Sequence, residues 1–216
     1  MLFSKLKKEY KNTRKLVTKL NAKITKMATP EQILAAGRKL GLVSRSGNLN
    51  LAREGDTEAM IDQLIFHGRL AGKSFPAAYL EKIGDDFLPA LERELLAAYE
   101  EKAFFSLFEV SDNKKRDFLG LSPLLDVPGF ELFDVVLGRV ADEQWLLAGR
   151  FIPFGGRYIH TGVIYAYPQD AKEELLQKLN DEDDEETGSR RRDHPEKYPL
   201  YFYQWYQKYG IQLGQR

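Results

Sequence analysis

Residues 103 to 125 read AFFSLFEVSDNKKRDFLGLSPLL, and the fold turns on how this stretch is taken. Upstream of it, apolar residues recur every three to four positions. Here they begin to alternate with polar or small ones, which is the period of a strand. AFFSLFEV (103–110) is the first strand candidate, SDN is a polar turn, and KRDFLGLSPLL (115–125) is the second. Three more follow: FELFDVVLGRV (130–140) after Pro128-Gly129, EQWLLAGRFIPF (143–154) after Ala141-Asp142, and RYIHTGVIYAY (157–167) after Gly155-Gly156. Five short strands with four short turns match a small antiparallel barrel, SH3-like or OB-like, or a curled antiparallel sheet covered by helices.

The chain before residue 103 reads as helices. Phe3, Leu6, Tyr10, Thr13, Val17, Leu20, Ile24 and Met27 are spaced alternately by three and four. They draw one narrow apolar stripe along a helix of about 37 Å. Thr29, Pro30 and Gln32 form a capping-box pattern for a second helix reaching about Leu40, with Gly41 as its terminator. Asp56 or Thr57 caps a third helix running to about Leu70, and AGKSF (71–75) breaks it. Pro76 starts a short helix that ends at Gly84, and Asp85 or Asp86 caps the next, which reaches about Glu101.

After the strands, Pro168 ends the sheet and AKEELLQKL (171–179) forms a short helix. DEDDEETGSRRR (181–192) follows, then YPLYFYQWYQKYG (198–210), with seven aromatics in thirteen residues. On a helix, Tyr198, Tyr201, Phe202, Trp205 and Tyr209 share a face that docks the C-terminal segment on the body. The organisation expected is α+β: a basic amphipathic helix (1–28), a helical region (29–102), the strands (103–168), a short helix (169–180), a charged disordered linker (181–197) and an aromatic terminal segment (198–216).

Composition narrows the chemistry. Of the 216 residues none is cysteine, which excludes disulfides, thiolate metal sites and thiol nucleophiles. Lysine plus arginine equals aspartate plus glutamate at 32 each, but the charge is unevenly placed. Residues 1–27 carry nine basic residues against Glu9, and residues 170–186 carry nine acids against Lys172 and Lys178. No secretory leader and no apolar stretch of membrane-spanning length is read, so a cytoplasmic protein without a transmembrane segment is expected.

Three stretches carry a family resemblance: LIFHGRLAGKSFPAAYLEKIG (64–84), LERELLAAYEEKAFFSLFEV (91–110) and LLAGRFIPFGGRYIHTGVIYAYP (146–168). The recurring features are Arg69 to Lys73, Ser106 to Val110, Gly149 to Pro153 and Gly162 to Tyr165. Over roughly residues 55 to 170 the chain resembles an uncharacterised domain of bacterial proteins, some of which carry a SEC-C motif. The resemblance implies a helical region followed by a small β-barrel and no established activity. The cysteines of the SEC-C motif are missing, so no zinc-dependent role follows.

No catalytic motif is present: no GxSxG, Walker A, GxGxxG or HExxH. His67, His160 and His194 stand outside any such pattern, so no catalytic residue, metal or cofactor is assigned. The acidic run Asp181, Glu182, Asp183, Asp184, Glu185 and Glu186 lacks the alternate ligand spacing and internal glycine of a calcium loop. It reads as a solvated linker or as a segment that masks the basic helix. The expected function is a non-enzymatic interaction module that binds another protein or a second copy of itself. The alternative is nucleic-acid binding through Lys5, Lys8, Lys11, Arg14, Lys15 and Lys19 of the first helix, with Arg139, Arg150, Arg157 and Tyr158 on the barrel face. An enzyme with an unrecognised site is the remaining class.

Overall fold

The structure, a computed structural model, describes residues 2–113, 117–181 and 190–211, and of residues 2–6 the backbone only. The helical part comprises α1 (Leu2–Thr25), α2 (Pro30–Lys39), α3 (Asp56–Asp62), α4 (Phe75–Ile83) and α5 (Ala90–Glu101). The expected capping box forms at α2: the Thr29 hydroxyl accepts from the Gln32 N–H at 3.3 Å, and the Gln32 side chain accepts from the Thr29 N–H at 2.8 Å. The third helix does not run to Leu70. It passes into a π-helical turn over Gln63–His67, and a two-residue hairpin follows, β1 (Arg69–Leu70) with β2 (Lys73–Ser74). Pro89 keeps the α5 helix from starting at Asp85, and Asp85–Phe87 is instead a single 3-10 turn.

The strands are β3 (Phe104–Asp112), β4 (Phe118–Pro123), β5 (Phe130–Phe133), β6 (Leu146–Phe154) and β7 (Arg157–Tyr167). Two expectations need correction. The sheet is mixed, because β5 meets β7 in parallel through one register pair, Leu132 with Tyr158. The other four pairings, β3–β4, β4–β5, β3–β6 and β6–β7, are antiparallel. The sheet is therefore strongly curled, with a seam held at one point and not an evenly hydrogen-bonded wall. Secondly, FELFDVVLGRV is not one strand: β5 stops at Phe133 and α6 (Leu137–Val140) takes up the rest. Gly155 and Gly156 form the β6–β7 turn with φ of 58° and 75°, a left-handed pair that glycine adopts without strain.

The concave side of the sheet is filled by rings. Phe104, Phe108, Phe130 and Phe151 meet edge-on or tilted at 4.9–6.0 Å. The convex side is covered by two groups of helices. α1, α4 and α5 pack with Ile152, Phe154 and Ile159 of β6 and β7. α2, α3, α7 (Lys172–Asn180) and α8 (Tyr198–Tyr209) pack with Phe105, Leu107, Leu146, Tyr165 and Tyr167. The aromatic terminal segment docks as expected: Phe202 is buried, and the Tyr167 hydroxyl donates to its carbonyl. Residues 190–197, read as disordered linker, form two 3-10 turns, Arg191–Asp193 and Pro195–Lys197. Arg191 anchors them by donating to the Lys178 carbonyl at 3.0 Å.

Candidate functional site

Helix α1 spends its apolar stripe on the body. Val17, Leu20 and Ile24 are buried against α4, α5 and the sheet, and Tyr10 is buried against the Phe133 ring. At about 100° per residue, Lys8, Lys15 and Lys19 then lie opposite that stripe within about 40° of one another, with Lys11 beside them. All four are exposed and none has an ion pair among the described residues. From Lys8 to Lys19 the row runs about 16 Å. The only acid of the helix, Glu9, lies off this face. Lys7 and Lys23 are taken by Asp117 and Glu92, at 3.2 and 2.9 Å.

Beneath the N-terminal half of α1 lies a buried polar cluster. Asp134 accepts from the Tyr10 hydroxyl at 2.7 Å and from His160 Nε2 at 2.9 Å on one oxygen. Its other oxygen accepts from the Val136 and Leu137 N–H groups, both at 2.8 Å. Because a carboxylate only accepts here, His160 carries its proton on Nε2, and its Nδ1 has no partner among the described residues. Burial, and then the Arg14 charge, holds the His160 pKa down, so the ring is neutral. Arg14 itself donates to the His160 carbonyl at 2.6 Å. Burial alone would raise the Asp134 pKa, but the hydrogen bond from His160, with help from the Leu137 N–H and Tyr10, holds it below the usual carboxylate range.

A second cluster lies where the π-helical turn meets β6. Arg150 is 6% exposed and Asp62 5%. The guanidinium donates Nε to one Asp62 oxygen at 2.7 Å and Nη2 to the other at 2.9 Å. Nη2 also reaches His67 Nε2 at 2.9 Å. Arginine has no acceptor, so His67 Nε2 accepts and its proton sits on Nδ1. The Phe66 ring covers one face of the guanidinium, 4.2 Å from its centre. Burial, then Arg150, pulls the His67 pKa down to about 4. The unfolded chain binds that proton near 6.5, so between 6.5 and about 4 the unfolded state holds more protons. Stability is therefore lost as pH falls through that window. His67→Gln is expected to flatten that part of the curve, read as urea midpoints at pH 7 and pH 5; an unchanged difference between the two would sink the assignment.

A family model described as Family of unknown function (DUF7986) matches residues 4–216. The chain belongs to this family. The DUF7986 match spans α1, the curled sheet and α8 in one piece, so the basic helix and the aromatic helix are parts of the family's domain. The stretches that carried the sequence resemblance are its middle. No curated protein and no solved structure matches the chain.

The residues singled out from sequence do not form one patch. Lys8, Lys11, Lys15 and Lys19 share the outward face of α1, whereas Arg14 is turned partly inward. The side chain of Lys5 and residues Glu182 to Glu186 lie outside the described residues, and Asp181 is exposed at the end of α7. No ion pair among the described residues joins the 170–181 segment to α1. Arg139 is exposed beside Lys7 and Asp117, near the start of α1. Arg157 lies over the Phe118 and Phe133 rings at 4.9 and 5.4 Å, and Tyr158 stacks on Phe130 at 4.2 Å. Arg150 is committed to the interior. Asp62, His67, Tyr10 and Asp134 were not read as partners from sequence. The one local signal was the spacing of Asp62 and His67. Five residues apart, they lie about 140° apart on an α-helix but close together on a π turn. No group of three metal-ligating side chains occurs among the described residues, and no helix is long and apolar enough to cross a membrane.

Proposed function

We propose that this protein is a non-enzymatic binding module that docks the phosphate backbone of a nucleic acid on the outward face of α1. The observation that carries this reading is the row Lys8, Lys11, Lys15 and Lys19, exposed and free of ion pairs among the described residues. Four ammonium groups on a rigid helix meet phosphates without reading bases, so binding is expected to be insensitive to sequence. Self-association through the heptad stripe loses its main support, because Tyr10, Val17, Leu20 and Ile24 are already buried within the chain. The same burial argues against a membrane surface as partner, since an interfacial helix needs a free apolar face.

The test is fluorescence anisotropy with labelled single- and double-stranded RNA and DNA, beside phosphatidylserine vesicles and poly-glutamate. About four neutralised phosphates predict a loss on the order of 100-fold in affinity between 50 and 200 mM salt. The pair Lys15→Gln and Lys19→Gln is expected to cut the salt slope to about half. Equal binding to vesicles or poly-glutamate, or a slope unmoved by the two substitutions, overturns the reading.

A further inference from the structure

A cleft of about 580 Å³ opens between the π-helical turn, the start of β3, the loop at Leu125–Val127 and the turns at Arg192–Tyr198. Its volume falls within the ordinary range of small-molecule sites. Phe66, Phe104, Phe105 and Val127 give it apolar walls. Its polar lining is of a different kind. Arg150 and His67 both line it, and both have capacity left over. Nε and Nη2 of Arg150 are used by Asp62 and His67, and Nη1 has no partner among the described residues. His67 uses Nε2 as an acceptor, so its Nδ1–H is a donor with no partner among the described residues.

The uncommitted groups at the inner end are two donors, Arg150 Nη1 and the His67 Nδ1–H, and the buried Ser106 hydroxyl, which has no partner among the described residues and can also donate. Asp62, the one carboxylate beside them, is already held in two bonds to Arg150. Arg69 and Arg192 stand exposed at the mouth. They face two acids there, Asp126 and Glu196, and Glu196 is engaged by His194 at 3.2 Å. The free Nη1 of a guanidinium backed by aromatic rings, beside a ring N–H, can donate to the oxygens of a planar or tetrahedral oxyanion. The rings suit an apolar body attached to that anion. We propose that this cleft binds a small organic anion, a carboxylate or a phosphate carried on an aromatic or apolar group. Arg150 and His67 hold the anionic end, and Phe66, Phe104 and Phe105 hold the body. The site is separate from the lysine row: none of the residues that line the cleft belongs to α1.

The test uses the full chain with four probes followed by calorimetry and thermal shift: benzoate, phenyl phosphate, inorganic phosphate and benzyl alcohol. Benzoate or phenyl phosphate is expected to bind and raise the melting temperature, and which of the two binds tighter assigns the anion. Inorganic phosphate and benzyl alcohol, each holding half of the recognised chemistry, are expected to bind at least about tenfold more weakly, the scale of one lost charge-assisted bond. Arg192→Ala and His67→Gln should each weaken the better probe several-fold while circular dichroism and nucleic-acid binding stay unchanged. Lys15→Gln with Lys19→Gln should leave the probe's affinity as it is, which separates failure here from failure of the nucleic-acid reading. The proposal is overturned if no probe binds at millimolar concentration, if benzyl alcohol binds as well as benzoate, or if His67→Gln and Arg192→Ala both leave affinity unmoved.

Discussion

Asp62→Ala is expected to destabilise the protein by about 3–5 kcal/mol, the cost of leaving a buried charge without its partner. For a chain of this size that corresponds to a fall of roughly 6–20 °C in melting temperature. The reason is the position of Arg150. It projects from the middle of β6, nine-tenths buried, between the Phe66 and Phe105 rings at 4.2 and 5.6 Å. Without Asp62 its remaining polar contact is the neutral His67, which accepts one bond and carries no charge. Arg150→Met, which strands Asp62 instead, is expected to cost a similar amount. The double variant Asp62→Leu with Arg150→Met is expected to recover most of the loss, because an apolar pair of similar volume replaces two desolvated charges. Urea unfolding with an unchanged m-value measures all three. Additive losses in the double variant would sink the argument that the pair acts as a unit. The same double variant should abolish benzoate and phenyl phosphate binding even where stability returns, since the cleft loses its guanidinium.

How much of this was legible in the sequence depends on the distance over which each feature is decided. The α1 stripe, the Thr29–Gln32 capping box and the Gly155-Gly156 hairpin are fixed by neighbours within a few residues, and all three are present. The docking of α8 could also be read, because seven aromatics in thirteen residues have no stable place in water. Features decided over long separations were not legible. The parallel contact of Leu132 with Tyr158 leaves no mark on the alternation of either strand. Arg150 looked like a surface cation in a strand of alternating character, yet β6 is buried along nearly all of its length and Asp62 lies 88 residues away. The lysine row stands between these cases. Its spacing is local and was visible, but whether it faced solvent depended on which side of α1 the body would cover. The early end of β5 had a local sign that was misread. Asp134 precedes Val136 and Leu137 and takes their N–H groups with its side chain, as an aspartate does at the start of a turn or helix. The apolar run Val135-Val136-Leu137 concealed it.

Asp134 also gives the second large effect. Asp134→Ala removes the acceptor for the Tyr10 hydroxyl, for His160 Nε2 and for two backbone N–H groups at once. Each buried donor left unsatisfied costs about 1–3 kcal/mol, and relaxation keeps the four from adding fully, so a total loss of about 4 kcal/mol is expected. Tyr10→Phe removes a single donor and is expected to cost about 1 kcal/mol. In the Asp134→Ala background it should cost almost nothing, because the hydroxyl no longer has a partner to lose. The pH dependence follows from the same bonds. Asp134 titrates below its ordinary 3.8 in the folded chain, so its contribution is complete above that value. It drains away as pH falls below 3.8 toward the folded value. Asp134→Ala should therefore unfold in acid with a shallower slope than the parent chain across that range. A cluster of this kind also bears on function, because Tyr10 is one of the points at which α1 is pinned to the body by a buried hydrogen bond, Asn21 on the Thr161 carbonyl being another. If the lysine row works as a rigid comb, Asp134→Ala should weaken nucleic-acid binding while leaving the salt slope near its parent value, since no lysine has been lost. A slope that falls as it does in the Lys15→Gln and Lys19→Gln pair would mean instead that α1 has left the body altogether.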